Sequence, residues 1–319
     1  MPRHKALLIG INYTGTDHAL LGCINDVHNM RDFLVREQGF HPADMVVLTD
    51  DQDPNSAYSP NGQNMMSAIK WLVTGNTPGD SLFLHYSGHG GQVPDPDGDR
   101  ESSFDDTIVP LDYESHGQLD SDLLHKALVS PMDPQVRLTV IFDCCHSGSA
   151  IELPYVYRAD ENGNVHLMDN VKQAAHLYQR AQHLVHGFSL TPTKIQEAKE
   201  LFAGAQTFWK GFQNRGQKSV DVDEEGLGEE HFIEPWAKEG KDVWMFSGCR
   251  DDQTSADTSI SGAHVGAMSN AFLATMRASP GESYRNVLQN TRKYLARNYK
   301  QIPQLSVGGK YDLDQPVRF

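Results

Sequence analysis

The sequence predicts an α/β fold, with a mostly parallel central sheet flanked by helices on both faces. Three observations carry this. The stretches 5–11, 81–86 and 138–142 are almost continuously apolar, as strands buried on both faces are. Between them lie stretches whose apolar residues recur at helical spacing. The two kinds alternate along the chain, which is the signature of βαβ units.

The elements follow in order. Stretch 5–11 reads as a first buried strand closed by Asn12. Ile24, Val27, Met30, Phe33 and Leu34 then mark a helix over 23–37 that stops at Gly39. A short strand at 45–48 precedes a helix opened by Ser59-Pro60, running through Met65, Ile69 and Leu72 to Gly75. The strand 81–86 runs into Ser87-Gly88-His89-Gly90-Gly91. After an acidic loop, 95–106, come a strand at 107–111, a helix at 120–129 and the core strand that ends in Asp143-Cys144-Cys145-His146-Ser147-Gly148. From 152 to 241 apolar periodicity weakens, and 221–230 is nearly a run of acids. This segment reads as an insertion or linker. Order returns with a strand at 243–249 and helices at 267–276 and 284–299. The predicted organisation is a large segment, 1–151, a linker, 152–241, and a small segment, 242–319, that completes the same single domain.

The 319 residues can bury a sizeable core. A net charge of −15 argues against nucleic acid or an anionic membrane as partner, since both need a basic surface. The 4 cysteines, two of them adjacent, make no disulfide framework, so a reducing compartment is expected. No apolar stretch approaches a membrane span and no signal peptide precedes the first strand. The expected location is therefore cytoplasmic, with the nucleus also open to the chain.

Two strand ends concentrate the chemistry. In open α/β sheets the reactive crevice lies outside the carboxyl ends of the strands. One strand here ends in a glycine-flanked His89 and another in Cys144-Cys145. A neutral imidazole can take a thiol proton and then stabilise the thiolate. The separation, 145 − 89 = 56, resembles the caspase-type order of His and Cys. Cys144 and Cys145 point to opposite faces of a strand, so only one serves the site and the other packs in the core. Zinc binding through Cys144, Cys145 and His146 fails on the same ground.

The segments Lys5-Ala-Leu-Leu-Ile-Gly-Ile-Asn12, Gly22-Cys-Ile-Asn-Asp26, His85-Tyr-Ser-Gly-His-Gly-Gly91 and Asp143-Cys-Cys-His-Ser-Gly148 together resemble type I metacaspases of the fungal kind. Asp252-Gln-Thr-Ser-Ala-Asp257 and Gly266-Ala-Met-Ser-Asn-Ala-Phe272 fit the same pattern, and the resemblance is weakest over 152–241. It implies a caspase-like fold and a calcium-stimulated cysteine endopeptidase that cleaves after Arg or Lys. It assigns the nucleophile to Cys145, with His89 as its base; by analogy with acyl transfer, backbone N–H groups of Cys145 and Gly90 hold the oxyanion. It implies an acidic S1 pocket of Asp26 and Asp143, with Ser87 and Cys23 beside it. Carboxylates suit an Arg fork or a Lys ammonium, whereas an Asp-directed pocket would need basic residues. The competing reading of Asp26 is a helix-start carboxylate favoured by the dipole.

For the activating Ca²⁺, the Asp95-x-Asp97-x-Asp99 stretch is no EF-hand, because Arg100 stands at the required glycine and no Glu at the twelfth place. The resemblance implies instead a site at Asp105, Ser121, Asp122 and Glu152. An Asp pair is usual where Ser121-Asp122 stands, and Asp is usual at Glu152; Asp120 can substitute. The resemblance further implies a zymogen that cleaves itself in the linker, with Lys210 preferred and Lys199 and Arg215 as alternatives. Substrates are then proteins and peptides with Arg or Lys at P1, and the enzyme is a monomer. A Pro/Gln-rich N-terminal region is also implied; the sequence starts at the first core strand, so that region is absent or trimmed. The rival reading is a non-proteolytic calcium-responsive scaffold or stress- or aggregate-binding protein on the same fold. Retention of Cys145, His89, Asp26 and Asp143 together argues against it.

Overall fold

The sheet is built from the N-terminal half outward. The computed structural model describes residues 2–94, 104–144, 150–159, 164–168, 239–249, 258–260, 263–299 and 301–319. The large segment supplies β1 (His4–Gly10), α1 (Cys23–Glu37), β2 (Met45–Thr49), α2 (Gly62–Val73) and β3 (Ser81–Ser87). A small antiparallel ladder of β4 (Gly90–Pro94), β5 (Phe104–Ile108) and, after the short α3 (Tyr113–His116), β6 (Leu119–Asp120) stands apart from the main sheet. Then come α4 (Ser121–Leu124), a π turn (His125–Val129) and β7 (Arg137–Asp143). The rest comprises β8 (Tyr155–Ala159), β9 (Val165–Met168), β10 (Val243–Cys249), the hairpin β11 (Thr258–Ile260) and β12 (Ala263–Val265), α5 (Ala267–Ala278), α6 (Tyr284–Asn298) and β13 (Ile302–Val307). Among the described residues the main sheet has the order β2-β1-β3-β7-β10-β13-β8-β9. The first five strands are parallel and the last three are joined by antiparallel pairings.

Period-2 alternation divides the core in two. Leu7, Ile9, Leu82, Leu84, Leu138 and Val140 face one cluster with Met65, Ile69 and Leu72 of α2. Ala6, Leu8, Phe83, Ile141, Trp244 and Phe246 face the other with α1, α5 and α6. Both faces of the sheet are thus covered by helices, as strands apolar on both sides require.

Several boundaries differ from the sequence expectation. The strand expected at 107–111 lies at Phe104–Ile108, and the helix expected at 120–129 is one α turn followed by a π turn. The stretch expected as a linker from 152 begins with two strands of the main sheet, β8 and β9. Their partner β13 was also not anticipated. Its Pro303, Gln304 and Ser306 break up any apolar run, yet it is paired on both sides. Gln304 Oε1 accepts from Arg158 Nε and Nη2 at 3.0 and 2.9 Å, so polar residues are satisfied across this end of the sheet. Lys199, Lys210 and Arg215, expected as self-cleavage positions, lie outside the described residues. Among the described residues no helix is long and apolar enough to cross a membrane.

Candidate active site

His89 sits in the turn between β3 and β4, half-buried, at the carboxyl end of the parallel sheet. Its Nε2 lies 2.7 Å from the carbonyl oxygen of His18. A carbonyl only accepts, so in the neutral ring the proton is on Nε2 and Nδ1 is the basic atom. The ring of Tyr13 lies against it, centroid to centroid 4.6 Å. Val109 N–H donates to His89 C=O at 3.2 Å, and the next pair along is Gly90 with Ile108. Bonded and non-bonded pairs alternate in an antiparallel ladder, which directs the Gly90 N–H away from β5.

The thiol-bearing strand lies beside β3 in register, with Ser87 opposite Asp143. Two residues beyond each partner stand His89 and Cys145. Cys145 and His146 fall outside the described residues. Cys144 is described: it is 5% exposed and belongs to the core cluster on the α2 face, opposite Asp143. Cys23, the first residue of α1, is buried in that same cluster with Tyr13 and Tyr86.

The two carboxylates converge on the start of α5. Asp26 Oδ2 accepts from Ser87 Oγ at 2.7 Å, and Gly266 N–H donates to Asp26 Oδ1 and Oδ2 at 2.8 and 2.9 Å. Asp143 Oδ2 accepts from Ser269 N–H at 2.7 Å. Asp26 is 1% and Asp143 9% exposed. Gly266, the N-cap of α5, has to be glycine here: a Cβ would press on Asp143 Oδ2 and come within 2.5 Å of Asp26 Oδ2. Asp26 stands in the first turn of its own helix, as the competing reading has it. It reaches across to a helix of the small segment, whose dipole and amide groups favour negative charge. Behind the pair, His85 is fully buried with Nε2 2.9 Å from Ser269 Oγ, and burial pushes its pKa down to about 3. Gly266, Ser269, His85 and His18 were not singled out from sequence. Gly266 and Ser269 lie in the Gly266–Phe272 motif and His85 opens the His85–Gly91 motif, but their meaning is visible only once α5 is docked.

Asp105, Asp120, Ser121, Asp122 and Glu152 are all buried, 0–6% exposed. Asp120 caps α4 by accepting from Leu123 N–H at 2.8 Å, Ser121 Oγ donates to Glu152 Oε1 at 2.7 Å, and Lys126 Nζ donates to Asp122 Oδ2 at 2.6 Å. Glu152 has φ 49°, a left-handed conformation that a non-glycine residue rarely adopts. The donors have the oxygen chemistry a hard cation wants. As placed, they do not form a complete site: among the described residues no three or more His, Cys, Asp or Glu side chains are arranged to hold one metal ion.

A parallel α/β sheet that carries an oriented imidazole and a cysteine pair at adjacent strand ends is the framework of a cysteine-type peptidase. Residues 4–154 match the family described as metacaspase, peptidase C14 domain. Metacaspase-1 of Mycosarcoma maydis is 42% identical over 320 residues, covering 98% of this chain and 72% of that protein. Metacaspase-1A of Neurospora crassa is 40% identical, covering 98% of this chain and 64% of its own, and Metacaspase-1B of Aspergillus oryzae 42% identical, covering 97% and 69%. A crystal structure from Geobacter sulfurreducens superposes with TM-score 0.63 at 23% identity, covering 98% of this chain and 97% of that one, a likeness of fold. The chain belongs to the metacaspase family, with its caspase-like fold and cysteine-type peptidase activity.

Proposed function

We propose that this metacaspase cleaves proteins and peptides after Arg or Lys. The carrying observation is the convergence of Asp26 and Asp143 on Gly266, beside the strand ends that bear His89 and Cys145. Two buried carboxylates held together favour a cationic side chain and disfavour an acidic one. Cys145 attacks the scissile carbonyl as thiolate, His89 Nδ1 takes the thiol proton and returns it to the leaving amine, and water hydrolyses the acyl-enzyme. The N–H groups of Gly90 and Cys145 receive the oxyanion.

Calcium is the proposed activator. Its support is the set of buried oxygen donors, Asp105, Asp120, Ser121, Asp122 and Glu152, which a hard cation would have to draw closer together. The chain acts as a monomer in the cytoplasm, and is latent until cut in the linker at Lys210, or at Lys199 or Arg215.

The test uses fluorogenic peptides ending in Arg, Lys or Asp, with and without Ca²⁺. Turnover of the Arg and Lys peptides is expected only with Ca²⁺. Asp26→Asn and Gly266→Ala should each lower their kcat/KM by at least about tenfold, the scale of one lost charged contact. Preference for the Asp peptide would overturn the specificity, and equal rates with a chelator would overturn the calcium requirement.

A further inference from the structure

We infer that Tyr13 and Tyr86 are positioning residues for the reaction: their hydroxyl groups bridge His89 to Val109 and so fix the imidazole. Pairing of β4 with β5 runs from Gly90–Ile108 to Pro94–Phe104, so the next pair is His89 with Val109. One rung there is direct, from Val109 N–H to His89 C=O at 3.2 Å. The return rung runs through a phenol. His89 N–H donates to Tyr13 Oη at 3.1 Å, and Tyr13 O–H donates to Val109 C=O at 2.6 Å.

Tyr86 makes the complementary bridge. Its O–H donates to His89 C=O at 2.6 Å, and its oxygen accepts from Val109 N–H at 3.2 Å. The two phenol oxygens lie 3.2 Å apart. Each phenol has one proton to give, and each gives it to a carbonyl. The rings are 1% and 0% exposed, and burial raises both phenol pKa values far above normal, so both remain neutral donors.

Two backbone features accompany this bridge. Tyr13 has φ 52°, a conformation that a bulky residue keeps only when its surroundings impose it. Gly88 lies beneath both hydroxyls, where an added Cβ would be 2.6 Å from Tyr86 Oη and 3.2 Å from Tyr13 Oη. Of the two glycines that flank His89, Gly88 makes room for the phenols. The imidazole is thus held by its backbone, by the Tyr13 ring face and by the His18 carbonyl at Nε2. Neither phenol needs to touch substrate to act, because misplacement of a base by about 1 Å costs on the order of 100-fold in rate.

This inference rests on His89 being the base, so the experiment separates the two. Tyr13→Phe, Tyr86→Phe and Gly88→Ala are compared with His89→Ala and with Tyr284→Phe, a buried tyrosine on the opposite face of the sheet. The readouts are kcat and KM on an Arg peptide, and the pH dependence of thiol alkylation by iodoacetamide, with folding checked by circular dichroism. Each bridge variant should lower kcat by at least about tenfold with KM within about twofold, and move the rise of alkylation to higher pH. Tyr284→Phe should change neither. Bridge variants with wild-type kcat and alkylation profile would overturn the inference, as would an equal loss in Tyr284→Phe. Activity surviving in His89→Ala would overturn the dyad itself. If one phenylalanine variant fails to fold, the other reads the same bridge from the opposite side.

Discussion

At the scale of single residues, the site is set by which face each strand residue takes. Asp143 and Cys144 are neighbours, yet one reaches the start of α5 and the other packs under α2. That division was legible in sequence, because strand side chains alternate. What was not legible is the layer beneath the carboxylates. His85 reads as one more residue in an apolar run, yet it supports Ser269, whose N–H holds Asp143. Its protonation gives a pH signature. The unfolded chain binds a proton at His85 below about pH 6.5, whereas burial holds the folded imidazole neutral down to about 3. Between these values the unfolded state binds more protons, so stability falls with falling pH by about 1.4 kcal/mol per unit from this group. Chemical denaturation from pH 6.5 to 4 should show that slope, and His85→Gln should flatten it by about the same amount. An unchanged slope in the variant would show that His85 is not held neutral.

At the scale of elements, the parallel half of the sheet was readable and the antiparallel half was not. The strands β1, β3, β7 and β10 are buried on both faces and show as apolar runs. Strands β8, β9 and β13 lie toward the sheet's end, carry residues such as Arg158 and Gln304, and look like loop until paired. Their discovery changes what linker cleavage does. From β7 onward the order is β7-β10-β13-β8, so two strands of the small segment lie between β7 of the large segment and β8 at the start of the expected linker. A cut at Lys210 would leave the two pieces interleaved through two strand interfaces, β7–β10 and β13–β8. The cleaved protein should therefore elute as one species of unchanged size in native size-exclusion chromatography and separate only in denaturant. Separation in native buffer would contradict the sheet order.

At the scale of the whole molecule, the small segment is built into the large one and is not an appendage. Its helix α5 gives the amide groups that hold Asp26 and Asp143, and α1 reaches back to it, with Asn25 Nδ2 donating to His264 C=O at 2.9 Å and Arg277 paired with Glu37 at 2.9 Å. Recognition in this account needs residues from both ends of the chain, while the chemistry needs only β3, β7 and the turns after them. The most direct test joins the two in one reading: a peptidyl-Arg fluoromethyl ketone is reacted with the Ca²⁺-treated protein, and the modified residue is located by tandem mass spectrometry, with the matching Asp ketone as comparison. The expected product is a thioether on Cys145, formed by the Arg reagent and not by the Asp reagent. An adduct on Cys144, or labelling by the Asp reagent in preference, would contradict it.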